Sequence, residues 1–162
     1  MIDKTMSGPF GWWEGVDYPS ADSPWNIDHA RGGGGSNQHM WGQSTATKVL
    51  FDSLIAEKSD GTVIIGRGVP NEWIRNRQQI ALNSYPVTGG RIGYQLTTSG
   101  RTVTLRLRGD TAKPTGYSIE LPVLRDNIAH VSTGGAVVDQ VTGTVRLPRG
   151  TTQATVVLRR AP

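Results

Sequence analysis

Four carboxylates, two histidines and four of the five tryptophans crowd into one stretch, Pro9 to Gln43, PFGWWEGVDYPSADSPWNIDHARGGGGSNQHMWGQ. The acids are Glu14, Asp17, Asp22 and Asp28, and the rings are Trp12, Trp13, Trp25 and Trp41. Flat indoles cover the apolar faces of sugar rings, while carboxylates and amides accept from or donate to hydroxyl groups. Glu14, set between Trp13 and Gly15, is a carboxylate whose aromatic neighbours would desolvate it and raise its pKa, as a general base requires. The same composition also suits indoles that anchor an irregular segment onto a core, with Glu14 an ordinary exposed carboxylate. Both readings stay open on the residues alone.

Other chemistries have less behind them. His29 and His39 with Asp28 and Asp17 show no recognised metal-ligand spacing, so no metal is expected and hydrogen bonding to loop backbone accounts for both imidazoles. The chain has no cysteine, which removes disulfides, thiolate nucleophiles and zinc-thiolate sites. No nucleophile-elbow motif supports a Ser-His-Asp triad. Gly66-Arg67-Gly68 lacks the third glycine and following helix of a phosphate cradle and reads as a turn. No cofactor is implied.

The elements that must position these residues follow from period and composition. The stretch itself has neither a 3.6 nor a 2 periodicity and reads as a long loop, a kind usually functional or disordered. Its Gly32–Ser36 segment, GGGGS, matches a flexible linker unit, but the shared character of its flanks favours a native glycine lid. A helix follows, capped by Ser44 or Thr45, with an apolar stripe of Ala46, Val49, Leu50, Phe51, Leu54 and Ile55, and ending through Glu57–Gly61. From Thr62 the period changes to two. Short strands are expected at Thr62–Gly66, around Ile80, Ile92–Leu96, Val103–Leu107, Tyr117–Leu121, Ile128–Val131 with a half-buried His130, Ala136–Val138, Gly143–Leu147 and Gln153–Arg159. Pro70 opens a turn before Trp73. Ser99-Gly100 and Pro148-Arg149-Gly150 read as hairpin turns.

The expected fold is therefore mainly β: an antiparallel β-sandwich preceded by an irregular Trp-rich segment and one α-helix, with a barrel as the alternative. The division is residues 1–61, then a sandwich over 62–162. The 162-residue length, 21 Gly and 9 Pro fit a turn-rich β domain with an appendage. Net charge is +4 and the pI about 9.8. Yet Arg106, Arg108 and Arg159 alternate with apolar residues, as on a solvated sheet face, so no nucleic-acid partner is expected. No apolar run reaches the roughly 18 residues of a span and no h-region opens the chain, so no membrane partner or export signal is expected.

The segment Gly11-Trp12-Trp13-Glu14-Gly15-Val16-Asp17-Tyr18-Pro19, with His39-Met40-Trp41-Gly42-Gln43 leading into a Leu-bearing helix, resembles the end of an (α/α)6-toroid glycoside hydrolase of the six-hairpin type. In that clan a late loop carries an aromatic-Glu-x-Tyr-x-Pro type motif, and a Gly/Trp segment opens the final barrel helix. Here Val16-Asp17 precedes Tyr18 as an insertion. The remainder, from Gly66-Arg67-Gly68-Val69-Pro70-Asn71-Glu72-Trp73 to Arg159, resembles the β-sandwich appended to many bacterial toroid glycosidases.

The resemblance implies that Glu14 is the general base of an inverting reaction, with Trp12, Trp13, Asp17, Trp25, His39 and Trp41 near the sugar. Inversion needs a second carboxyl about 6.5–9.5 Å away. In that family the partner lies much earlier, and a toroid needs twelve helices where this chain offers one. The expectation is thus the C-terminal portion of a carbohydrate-active enzyme, not active alone, whose partners are carbohydrate and the rest of the toroid or another copy of the chain. It would be extracellular or periplasmic if the parent is exported. The alternatives are an independent carbohydrate-binding module and a structural or protein-interaction domain.

Overall fold

The structure, a computed structural model, describes residues 6–8, 11–12, 40–75 and 78–162, without the side chains of 6–8, 11–12, 41 and 42. The chain divides into two compact units, Met1–Phe51 and Asp52–Pro162. In the first, β1 (Met6–Gly8) pairs antiparallel with β2 (Gly11–Trp12). Helix α1 (Met40–Leu54) begins in this unit and ends in the second. No helix among the described residues is long and apolar enough to cross a membrane.

The helix differs from expectation at both ends. It starts at Met40, ahead of the expected caps Ser44 and Thr45, and stops at Leu54. Ile55–Glu57 instead forms strand β3, paired with β4 (Thr62–Ile65), so Lys58–Gly61 is a hairpin turn and not a helix terminus. Gly61, at φ +79°, serves that turn. The physical reason is burial: Ile55 is fully buried in the sandwich core, and extended pairing with Ile65 places it there. The upstream apolar stripe is not buried in the same way. Val49 and Leu50 are 53% and 51% exposed.

The second unit is a sandwich of two five-stranded sheets. Sheet one runs β10 (Val137–Asp139), β11 (Thr144–Pro148), β8 (Gly116–Ile119), β4, β3. Sheet two runs β5 (Gln79–Val87), β6 (Gly90–Ser99), β7 (Thr102–Gly109), β12 (Gln153–Leu158), β9 (Ile128–Ser132). Sheet two is antiparallel throughout. Sheet one contains one parallel pair, β4 with β8, because the chain leaves β4, builds three strands of the other sheet and returns alongside.

Alternation builds the core. In sheet two, the Leu96–Leu105–Ala154 and Tyr94–Leu107 rows point inward. Val63–Tyr117–Leu147 and Ile55–Ile65–Ile119–Val145 answer them from sheet one. Burying each of the Val, Leu and Ile side chains stabilises by about 1.5–3 kcal/mol before entropy is counted. Each sheet carries one buried tyrosine whose hydroxyl is satisfied by backbone. Tyr94 donates to the Leu54 carbonyl at 3.2 Å and Tyr117 to the Thr111 carbonyl at 2.7 Å.

Two local expectations are corrected. Pro148-Arg149-Gly150 does turn the chain, but β11 and β12 belong to different sheets, so it is a crossover and not a hairpin. His130 is exposed, not half-buried, because a register shift in the β9–β12 pairing turns it outward. Pro70 does open a turn, the 3-10 segment Asn71–Trp73, and Ser99-Gly100 joins β6 to β7.

Candidate functional site

Of the residues singled out by sequence, Trp13, Glu14, Asp17, Trp25 and His39 lie outside the described residues, as do the side chains of Trp12 and Trp41. The backbone of Trp12 sits in β2 and that of Trp41 in the first turn of α1. Asp22, Asp28 and His29 also fall outside. The site described here is one that sequence reading missed, on the outward face of sheet one.

Because side chains alternate, the residues between the buried positions of β4, β8 and β11 face away from the core. Thr62, Ser118 and Arg146 occupy such positions, and the chain beyond β8 adds Glu120. The β3–β4 turn contributes Lys58 and Asp60, and the β10–β11 turn contributes Asp139, Thr142 and Thr144. Together they line an open cleft of about 520 Å³, within the range of small-ligand sites.

Each carboxylate in the cleft is committed to an internal donor. The Thr62 amide donates to Asp60 at 2.8 Å and holds that carboxyl below its usual range. Asp139 accepts from the amides of Val141 at 3.0 Å and Thr142 at 3.2 Å, and the Thr142 bonds chiefly lower its pKa. Burial alone would raise Glu120. The Arg67 guanidinium at 2.7 Å and the Ser118 hydroxyl at 2.8 Å outweigh that, and its carboxyl titrates below the ordinary value. Lys58 adds a weak pair to Asp60 at 3.9 Å. Arg146 faces the same space without an ion pair among the described residues.

The chemistry follows from those pKa directions. A general acid near neutral pH needs a carboxyl raised towards 6–7, and these three move the other way. Among the described residues no group of three or more His, Asp or Glu is placed to hold a metal. What remains is a polar cleft with fixed negative charge, Arg146 and hydroxyls from Thr62, Thr142 and Thr144, a set suited to binding.

Comparisons with known families, curated proteins and solved structures give no match. The residues themselves therefore carry the functional reading. The signal that could have found the cleft was local: the i, i+2 spacing of Ser118 with Glu120 and of Thr144 with Arg146 marks one face of a strand. Their convergence was not local, since it depends on the β4–β8 and β8–β11 pairings.

Trp73 is the tryptophan whose side chain is described. It stands 45% exposed in the Asn71–Trp73 turn, away from the cleft lining.

Proposed function

We propose that this chain is the C-terminal portion of a carbohydrate-active enzyme of the glycoside hydrolase type, in which the β-sandwich supports a sugar cleft and performs no chemistry itself. The observation that carries this reading is the sandwich's own cleft, where Asp60, Glu120 and Asp139 each accept hydrogen bonds from internal donors. Such a body supplies binding and scaffolding. The chemistry then falls to the acid- and Trp-bearing N-terminal stretch, with Glu14 as general base and the six-hairpin resemblance as support. The remainder of the toroid, or another copy of the chain, is the partner this reading requires.

The test is hydrolysis of an oligosaccharide panel by this chain alone and by a polypeptide that also carries the toroid helices. The chain alone should give no turnover. In the longer polypeptide, Glu14→Gln should abolish activity while Glu120→Gln leaves it in place. Undiminished turnover with Glu14→Gln overturns the base assignment.

A second reading, an independent carbohydrate-binding module, is favoured by the open polar cleft itself. It is separated by titrating the chain with neutral oligosaccharides by calorimetry. Saturable heat that disappears in Arg146→Ala but survives Trp12→Ala and Trp41→Ala would place the binding function in the sandwich alone.

A further inference from the structure

Sheet two presents an outward face of unusual charge. Its five strands contain no Asp or Glu at all, although residues 52–162 hold eight of them. The register assigns the outward rows. Thr97, Thr104 and Thr155 stand side by side on β6, β7 and β12, and Gln95, Arg106 and Gln153 form the adjoining row. Arg108 follows Arg106 on the same face, opposite Gly93, which adds no side chain. Arg106 and Arg108 are exposed and make no ion pair among the described residues. The carboxylate at the rim, Asp110, is already bonded to the Arg91 amide at 2.9 Å.

We propose that this face is a docking surface for an acidic polysaccharide, one bearing carboxylates along a chain of hydroxylated rings. Charge complementarity selects a polyanion: two arginines whose Cα positions are about 7 Å apart along one strand, on strands with no Asp or Glu. Each offers the planar fork that takes a carboxylate in two parallel hydrogen bonds. The adjoining hydroxyl and amide rows, about 4.8 Å apart from strand to strand, supply donors and acceptors for ring hydroxyls. Nucleic acid fits the face less well. Its strands carry no Trp or Phe, and the ring they expose is His130 on β9, whereas single-strand binders stack successive bases on several aromatic rings. The proposal stands on the charge of sheet two and does not depend on Glu14 being a general base.

The experiment immobilises the full chain and measures binding of polygalacturonate, neutral dextran and a single-stranded oligonucleotide of matched charge. Polygalacturonate should bind in a salt-sensitive manner, with dextran showing none and the oligonucleotide weaker binding. The double variant Arg106→Gln/Arg108→Gln should lose about tenfold in affinity, the effect of removing charge-assisted contacts worth together roughly 1.4 kcal/mol. A charge-matched control, Arg75→Gln/Arg125→Gln, alters exposed arginines elsewhere and should bind like the wild type. Circular dichroism and thermal melts verify that both variants fold. Any of four results overturns the proposal: no polygalacturonate binding, unchanged binding by the Arg106/Arg108 variant, an equal loss in the control, or equal or tighter binding of the oligonucleotide or dextran.

Discussion

The two outward faces of the sandwich sit on sheets of equal strand number, yet they are opposites in charge chemistry. Sheet one gathers Asp60, Glu120 and Asp139 around a cleft and neutralises them locally with amides, Arg67 and Lys58. Sheet two has no Asp or Glu in its strands and leaves Arg106 and Arg108 unpaired among the described residues. Inside, the distinction vanishes, since both sheets contribute branched aliphatics and one buried tyrosine. The lesson is that the inner faces determine whether the sandwich forms, while ligand chemistry is written independently on each outer face.

If the inner faces are equivalent, truncating either should cost alike. Leu105 of sheet two and Ile65 of sheet one are both at or below 1% exposure. Leu105→Ala and Ile65→Ala should each destabilise by about 3 kcal/mol in urea unfolding, from lost transfer energy plus the cavity left behind. A difference of more than about 2 kcal/mol between them would show that one layer relaxes far more easily, breaking the symmetry.

The tyrosines sharpen the same comparison at high pH. Burial pushes both Tyr94 and Tyr117 up to about 12, against roughly 10 in the unfolded chain. A raised folded pKa means the stabilisation is fully present below pH 10 and is lost as pH climbs through 12. Thermal melts from pH 9 to pH 12 should therefore fall more steeply for the wild type than for Tyr94→Phe or Tyr117→Phe. Equal slopes in all three proteins would contradict the burial of these hydroxyls.

Thr98 breaks the pattern within sheet two. It faces the core opposite Val103, is 3% exposed, and its hydroxyl has no hydrogen-bond partner among the described residues. A buried unsatisfied hydroxyl costs about 1–3 kcal/mol, so Thr98→Val, of nearly the same shape, should stabilise by about 1 kcal/mol. A lower melting temperature in that variant would show that the hydroxyl is satisfied.

How much of this was legible in the sequence depends on the range of the interaction that decides each feature. The strand period of two placed β6 and β7, and Ser99-Gly100 correctly joined them, because turn chemistry and alternation are local. Pro148-Arg149-Gly150 carried an equally clear turn signal, but nothing local says that β12 crosses to the other sheet to pair with β7 and β9. Ile55 continued the helical stripe perfectly well in isolation. Its place in β3 is decided by pairing with Ile65 and by the core beneath it. The cleft was hidden for the same reason, since Lys58, Glu120 and Arg146 meet only through the order β11-β8-β4. The Trp and acid cluster, conspicuous in sequence from Trp12 to Trp41, lies on residues whose side chains are outside the description.

Neutralising one acid of sheet one should have a smaller effect than those above. Glu120 has a lowered pKa, so its contribution is present above the ordinary carboxylate value and is lost as pH falls through the lower, folded one. Arg67 is 60% exposed on its side chain, which limits the pair to roughly 0.5–1 kcal/mol. Glu120→Gln should cost about that much at neutral pH, with the difference from wild type shrinking in acid and in high salt. A constant difference from pH 7 to pH 3 would place the effect in packing instead of charge.

The smallest expected effect is on the opposite face. Arg106 and Arg108 are exposed and unpaired among the described residues, and the nearby Asp110 is bonded to the Arg91 amide, so Arg106→Gln/Arg108→Gln should leave stability within about 0.5 kcal/mol of wild type. Removing two like charges from one strand face relieves mutual repulsion, and any shift should therefore be towards greater stability at low salt. The contrast with Glu120→Gln is the decisive one. On sheet one a charge removed weakens the charge-assisted bond from Arg67. On sheet two a charge removed leaves nothing behind, because no described side chain pairs with it. A clear destabilisation of the double variant would mean that the guanidiniums are already engaged within the fold, and the two faces would then differ in geometry alone.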